Sequence, residues 1–257
     1  MRFIFCCLAC ISIFNFPVQA THAEKQINNK VAIVIDDLGN NMKGTEEILY
    51  LPVNLTVAVM PFLPSTKNDA ELAHKLGHEV ILHLPMEPLK GKSSWLGPGA
   101  ITSTLTDEEI YKRVNEAIDS VPFAVGINNH MGSKITANKH IMRIILGVCK
   151  ERNLYFLDSK TSHKSVVSET AAELGVPYLE NELFFDEIMT TNHIVKQTNQ
   201  LIKKTEVDDS IIAIGHVGIA GDKTANVLKE YIPILQKRAE IVTLSNLLIE
   251  KELLPNN

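Results

Sequence analysis

The 257-residue sequence has little cysteine, a single tryptophan and no block of consecutive basic residues. Three of its four cysteines, Cys6, Cys7 and Cys10, lie near the N-terminus, which leaves Cys149 for the rest of the chain. One cysteine cannot form an internal disulfide, so no disulfide framework holds the fold. The formal charge of −5 and the lack of clustered Lys and Arg argue against a nucleic-acid-binding protein.

The N-terminal segment has the features of a secretory signal. Arg2 provides a positive charge, residues 3–16 are mostly apolar, and Val18-Gln19-Ala20 offers small residues before a cleavage point. We therefore expect residues 1–20 to be removed and the mature protein to be exported, to the periplasm, without a stable membrane span. A membrane anchor is the weaker alternative, because this apolar run is shorter than the ~20 residues that cross a bilayer.

Short β-branched segments alternate with longer amphipathic segments along the remaining chain. The segments typical of strands are 31–35, 55–59, 80–82, 123–127, 154–157, 176–179, 211–214 and 241–244. The segments with helical periodicity are 66–76, 106–120, 138–152, 165–174, 193–204 and 224–236. This alternation predicts an α/β fold in which residues 30–250 form one domain, a parallel sheet closed into a barrel. Residues 85–105, rich in Gly, Pro and Ser, predict a long irregular insertion over one face.

Polar residues that can bind a metal ion or transfer protons follow five of the predicted strands. These residues are Asp36-Asp37, His83, Asn128-Asn129-His130, Asp158 and His216. The C-terminal ends of parallel strands open on one face of a barrel, and that face carries the chemistry of such folds. The sequence therefore predicts that these Asp and His side chains meet at one rim.

Imidazole nitrogen and carboxylate oxygen together are typical ligands of zinc and related divalent ions. Three protein ligands with an open position would make a catalytic site, in which the ion activates a water and polarises a carbonyl. The adjacent Asp36 and Asp37 suit a division of labour between a ligand and a base. In the alternative interpretation, one of them caps a helix and the other is solvated.

The sequence resembles the divergent polysaccharide deacetylases, distant relatives of carbohydrate esterases of the chitooligosaccharide-deacetylase (NodB) type. The segments that carry the resemblance are Ile33-Val34-Ile35-Asp36-Asp37-Leu38-Gly39, Leu82-His83-Leu84-Pro85-Met86-Glu87-Pro88, Gly126-Ile127-Asn128-Asn129-His130-Met131-Gly132-Ser133, Phe156-Leu157-Asp158-Ser159 and Ile212-Ala213-Ile214-Gly215-His216. The resemblance implies a distorted parallel (β/α) barrel of about seven units. It also implies an exported protein that acts on an N-acetylated or otherwise acylated polysaccharide.

Transferred to this sequence, the resemblance implies that Asp36 is the general base, and that Asp37 and His83 bind one divalent ion, expected to be zinc. The related enzymes have a second histidine four residues after the first, where this sequence has Glu87. Either Glu87 or His130 can then complete the ligand set. We favour His130 because it preserves the ligand type, which would leave Glu87 to bind substrate or position a ligand.

The remaining rim residues receive supporting roles through the same resemblance. His216 is expected to be the general acid that protonates the leaving amine. Asp158 is expected to orient a histidine or the base, or to act as a metal ligand. Asn128 and Asn129, beside His130, are expected to orient substrate or the metal ligands.

Two functions remain open from the sequence. The first is a metal-dependent deacetylase of an N-acetylated, peptidoglycan-like envelope glycan. The second is a non-catalytic periplasmic protein that uses the same barrel to bind glycan or an envelope protein partner. The missing second histidine favours the binding protein, whereas the Asp pair together with His216 favours the enzyme.

Overall fold

The structure is a computed structural model that describes residues 29–253, so the predicted signal at residues 1–20 lies outside the described part. The strands are β1 Lys30–Leu38, β2 Thr56–Val59, β3 Glu79–Met86, β4 Ala124–Met131, β5 Tyr155–Asp158, β6 Tyr178–Glu180, β7 Leu183–Phe184, β8 Ser210–His216 and β9 Glu240–Val242. The helices are α1 Thr45–Leu49, α2 Thr66–Lys75, α3 Asp107–Ser120, α4 Lys139–Glu151, α5 Val167–Leu174, α6 Thr191–Lys204, α7 Gly221–Leu235 and α8 Leu244–Leu253. No helix in these ranges is long and apolar enough to cross a membrane.

The strands form a parallel sheet in the order β6-β5-β4-β3-β2-β1-β8-β7, and β9 pairs with the first residues of β1. Helices follow most strands and cover the outside of the sheet, as right-handed crossovers of parallel strands require. The sheet path ends at β6 and β7, which follow each other in the chain without a helix between them. The predicted distorted barrel is confirmed, but the prediction of strict alternation was wrong at this point.

Two apolar layers result from the alternation of side chains along each strand. One set of residues, including Val34, Ile81 and Leu157, packs in the barrel interior. The alternate set, including Ile33, Leu82 and Phe156, packs against the helices in the larger core. Because both faces are covered, the strands are nearly continuous apolar runs, which made them recognisable in the sequence.

The predicted elements are present with small shifts at their ends. The capping sequence at Thr106 forms a capping box, in which the Thr106 hydroxyl accepts from Glu109 N and the Glu109 carboxylate accepts from Thr106 N. Helices α1 and α8 and the two-residue strand β7 were not predicted, because they are too short or too weakly periodic to stand out. The insertion begins later than predicted, because β3 continues through Met86, which forms a β-bridge with Ile101.

Candidate metal and catalytic site

The carboxyl ends of β1, β3, β4 and β8 bring most of the predicted site residues to one rim of the barrel. His83 on β3 pairs with Asn128 on β4, and His130 follows two residues later on the same face of β4. On the other side of the site, Asp36 on β1 pairs with His216 on β8. Sheet register therefore places residues from distant parts of the chain next to one another.

Asp36 and Asp37 both approach His83, which a regular strand would prevent because consecutive side chains point to opposite faces. Asp37 has a φ of 71°, and the register between β1 and β2 shifts between Ile35 and Leu38. This irregularity turns both carboxylates toward the site. An oxygen of Asp37 lies 3.3 Å from His83 Nε2, and an oxygen of Asp36 lies 3.7 Å from the same nitrogen.

Asp37, His83 and His130 form a compact cluster of potential metal ligands. Asp37 Oδ1 lies 3.0 Å from His130 Nδ1, and the two histidine nitrogens that face it lie 3.2 Å apart. The three ligand atoms are all within 4.8 Å of one another. Asp37 Oδ1 is buried and receives no hydrogen bond within residues 29–253. An unsatisfied buried oxygen between two imidazole nitrogens is the arrangement that a cation would stabilise.

Hydrogen bonds on the far side of each imidazole orient these histidines as ligands. His83 Nδ1 lies 2.7 Å from Asn128 Oδ1, and the amide of Asn128 also donates to Asp36 Oδ1 over 2.9 Å. The amide oxygen can only accept, so His83 carries its proton on Nδ1 and leaves Nε2 free. His130 Nε2 lies 3.1 Å from the carbonyl oxygen of Trp95, which leaves Nδ1 free in the same way.

The donor set of one carboxylate oxygen and two imidazole nitrogens fits a divalent ion such as Zn²⁺, with room in its coordination sphere for water or substrate. The structure brings His130 to this cluster. The carboxylate of Glu87 instead accepts from Lys134 Nζ over 2.6 Å and from Ser103 N over 2.7 Å, in contacts that hold the end of the insertion.

The two aspartates have opposite ionisation tendencies. Burial favours the neutral form of Asp37, but His130 and His83 outweigh it and hold the pKa of Asp37 well below its usual range. Burial is the largest influence on Asp36 and raises its pKa, against the opposing effect of His83. Asp37 is therefore the better anionic ligand, and Asp36 is the better proton acceptor.

His216 is held by Asp186, a residue that was not predicted to belong to the site. Asp186 Oδ1 lies 2.7 Å from His216 Nδ1, and Asp186 Oδ2 accepts from His216 N and from the Thr224 hydroxyl. Burial lowers the pKa of His216, but Asp186 outweighs it and raises the pKa to about 9. Asp186 lies two residues after β7, which is only two residues long and gives no clear sequence signal.

Asp158 and Asn129 lie near the site but point away from the ligand cluster. Asp158 follows the interior-facing Leu157, so alternation directs it to the helix layer, where its carboxylate accepts from Lys160 N. Asn129 accepts from Ser159 N and donates to Met131 O. Asn129 therefore connects the end of β4 to the loop after β5, and Asp158 bonds within that loop.

A cavity of about 320 Å³ opens beside the cluster. Asp37, Asp186 and His216 contribute polar groups to its wall, and Met42, Met189 and Ile219 contribute apolar ones. Three larger cavities, of about 610, 590 and 390 Å³, lie at the opposite end of the strands and contain none of the site residues. The smaller cavity is thus the one where a substrate would meet the charged groups.

The sequence profile of the divergent polysaccharide deacetylases matches residues 33–248. The chain belongs to this family. Among its relatives, the uncharacterized protein YibQ of Escherichia coli (strain K12) is 36% identical over 241 residues, covering 94% of this chain and 74% of YibQ. An uncharacterized protein of Haemophilus influenzae is 31% identical over 227 residues, covering 88% of this chain and 79% of that protein. The resemblance drawn from the sequence is confirmed.

Solved structures share the fold of this chain. The uncharacterized protein ATU2773 from Agrobacterium tumefaciens C58 has a TM-score of 0.79 at 21% identity, covering 86% of this chain and 89% of that chain. The Bc1960 peptidoglycan N-acetylglucosamine deacetylase has a TM-score of 0.54 at 14% identity, covering 86% and 88% respectively. At such identities the likeness establishes the barrel fold and nothing finer.

Proposed function

We propose that this divergent polysaccharide deacetylase is an active, metal-dependent hydrolase that removes acetyl groups from an N-acetylated envelope glycan. The proposal rests on one observation above all, the convergence of Asp37 Oδ1, His83 Nε2 and His130 Nδ1 within 4.8 Å of one another. A buried carboxylate, Asp36, and a carboxylate-held imidazole, His216, flank this cluster on β1 and β8. Together these groups supply the ligands, base and acid that amide hydrolysis needs.

Asp36 would act as the base. A bound divalent ion would polarise the amide carbonyl and make the attacking water more acidic. The Asp36 carboxylate, with its raised pKa, then accepts a proton from that water. Its hydrogen bond from Asn128 holds the carboxylate in place, and the same amide orients His83. The base and the metal ligand are thus positioned by one side chain.

His216 would act as the acid. With a pKa of about 9, it carries a proton at neutral pH. Asp186 holds Nδ1, so Nε2 is the nitrogen that can donate to a leaving amine. An amine leaves poorly as an anion, so proton donation at this point lowers the barrier to amide cleavage.

The choice of ion, compartment and substrate follows from chemistry and sequence. Two imidazoles and a carboxylate support zinc. The signal-like features of residues 1–20 support export to the periplasm, where a peptidoglycan-like glycan would be the available substrate. The apolar side chains of Met42, Met189 and Ile219 would face the acyl or sugar group in the cavity.

A paired measurement of metal content and hydrolysis tests the proposal. Purified mature protein should retain about one divalent ion per chain and release acetate from an N-acetylglucosamine oligomer. If the protein carries its ion, binds glycan or an envelope protein and hydrolyses neither an N-acetylated oligomer nor an activated acetate ester, it is a binding protein on a deacetylase barrel. A protein that retains no ion under any loading condition would contradict the metal site itself.

A further inference from the structure

We propose that Trp95 couples glycan binding to metal binding: its backbone carbonyl positions the ligand His130, and its exposed indole is a stacking surface for a sugar ring. The inference rests on the proposed function and adds a positioning residue and a sugar contact to it. It assigns both tasks to one residue of the insertion between β3 and α3.

His130 and His83 are oriented by different parts of the structure. His83 is oriented by Asn128, a buried residue of the neighbouring strand β4. His130 has no such partner within the sheet, and the contact at its Nε2 is the carbonyl oxygen of Trp95 at 3.1 Å. A carbonyl accepts only, so this contact keeps the proton on Nε2 and presents the Nδ1 lone pair to the cluster. The insertion therefore orients one ligand and the sheet orients the other.

The Trp95 carbonyl lies in a part of the insertion that is less firmly held than the rest. The later part of the insertion is fixed, because Ile101 exchanges backbone hydrogen bonds with Pro85 and Glu87, and the Glu87 carboxylate accepts from Ser103 N. Trp95 ends a single 3₁₀ turn, Ser93–Trp95, closed by a hydrogen bond from Trp95 N to Lys92 O at 3.0 Å. A single turn of this kind is weakly stable by itself, so a ligand that contacts it can order it.

The indole of Trp95 is accessible to a ligand. The Trp95 side chain is 59% exposed, although Leu96 beside it is buried. Lys92 Nζ lies 5.6 Å from the ring centroid, so a cation adjoins the aromatic face. A broad apolar ring with a neighbouring hydrogen-bond donor suits the apolar face and hydroxyl groups of a pyranose. Isolated exposed aromatic residues are common, but this one is bonded through its own backbone to a residue of the ligand cluster.

The two contacts of Trp95 predict reciprocal coupling between glycan binding and metal binding. A sugar that packs on the indole orders the turn and fixes the carbonyl, and an ordered carbonyl favours the metal-binding orientation of His130. Linkage then requires that the ion strengthen glycan binding by the same factor, within the about 5- to 150-fold usual for coupled sites.

The experiment measures Zn²⁺ affinity of metal-free full-length mature protein by calorimetry, with and without saturating tetra-N-acetylchitotetraose. Trp95 is the single tryptophan, so its fluorescence reports directly on the turn during both titrations. The wild type should bind Zn²⁺ at least about 5-fold more tightly with the oligomer present. Trp95→Ala keeps the carbonyl and should bind Zn²⁺ as the wild type does, but without the effect of the oligomer.

Two further variants separate the roles of the carbonyl and the indole. Trp95→Pro also lacks the indole, but it removes the N–H that closes the turn, and it should weaken Zn²⁺ binding about 10- to 100-fold relative to Trp95→Ala. Leu89→Ala is the matched control, because Leu89 is 61% exposed in the same insertion and its backbone N donates to the Ser133 hydroxyl. It should retain both affinity and coupling.

The outcomes distinguish this inference from the proposed function. Equal Zn²⁺ affinity in Trp95→Ala and Trp95→Pro would overturn the role of the carbonyl, and an oligomer without effect on wild-type affinity would overturn the coupling. In both cases the metal site and the proposed hydrolase would stand. A wild-type protein that does not bind Zn²⁺ would overturn the hydrolase and the coupling together. Circular dichroism of each variant confirms that the barrel is folded.

Discussion

At the residue scale, Asp36 and Asp37 are chain neighbours whose environments separate their functions. Asp37 faces two imidazoles, which hold its pKa well below its usual range, whereas burial raises the pKa of Asp36. The separation depends on the positive φ of Asp37, because a regular strand would have directed one carboxylate to the helix layer. A strained backbone position thus places a ligand and a base side by side.

The first prediction separates these two roles. Asp37→Ala should lower bound metal, because it removes a ligand atom. Asp36→Asn keeps the shape of the side chain and should retain the metal, but lose about 10²- to 10⁴-fold in kcat, the usual range for a general base. Atomic absorption measures the metal content of both variants, and acetate release measures their activity. Equal metal loss in both variants would contradict the assignments.

The second prediction concerns Asp186 and the pH dependence of the acid. His216 can donate only while protonated, so activity should fall as the pH rises through its pKa of about 9. Asp186→Asn removes the carboxylate that raises this pKa, so the alkaline limb of kcat/KM should move from near pH 9 toward pH 6.5. Glu187→Gln alters the adjacent, more exposed carboxylate and should leave the limb in place.

The contact between His216 and Asp186 also makes folding stability depend on pH, which can be measured without a substrate. Because the pKa of His216 is higher in the folded state, its stabilising contribution is complete below about pH 6.5 and is lost as the pH rises through about 9. The difference in unfolding free energy between the wild type and Asp186→Asn should therefore become smaller as the pH is raised from 6.5 to about 9. A difference that widens with pH would show that Asp186 does not favour protonated His216.

At the element scale, the polar residues of β4 lie on two faces of the strand and have different roles. Asn128 and His130 share the face that meets the ligand cluster, and Asn129 lies on the other face, against the loop after β5. β3 contributes His83 in register with Asn128. The pairing of β3 with β4 therefore assembles both histidines and the amide that orients one of them.

The third prediction compares these neighbouring amides. Asn128→Ala removes the partner of both His83 and Asp36, and it should weaken Zn²⁺ binding about 10- to 100-fold, as the loss of a group that orients a ligand typically does. Asn129→Ala removes an equally buried amide with no contact to His83 or Asp36, so its Zn²⁺ affinity should change little. Isothermal titration checks both values. Similar losses in the two variants would point to a general loss of loop order.

At the scale of the whole molecule, the ligands of one ion would come from three strands. Asp37, His83 and His130 lie on β1, β3 and β4, with β2 between β1 and β3 in the sheet. An ion held by all three links these strands in the folded state and not in the unfolded chain. Metal binding should therefore contribute to global stability.

The fourth prediction measures this contribution. With free Zn²⁺ at about 100 times its Kd, binding should add about 2.7 kcal/mol to the unfolding free energy, equivalent to about 5 to 10 °C in Tm for a domain of this size. Chelation should remove that increment from the wild type. Asp37→Ala should show little response to Zn²⁺ or chelator in differential scanning calorimetry. An equal response of the variant would locate the stabilising ion elsewhere.

The sequence by itself determined the alternation of strands and helices, the parallel barrel and the residue types at the strand ends. These follow from local periodicity, and parallel strands necessarily open on one rim. Tertiary structure decided which of those residues meet. The β3–β4 register brought His130 to the cluster, the Glu87 carboxylate went to Lys134 and Ser103, and Asp158 faced the helix layer. The partner of His216 came from the segment after β7, a strand whose two residues carry no periodicity. Such contacts join residues far apart in the chain, so no local pattern encodes them.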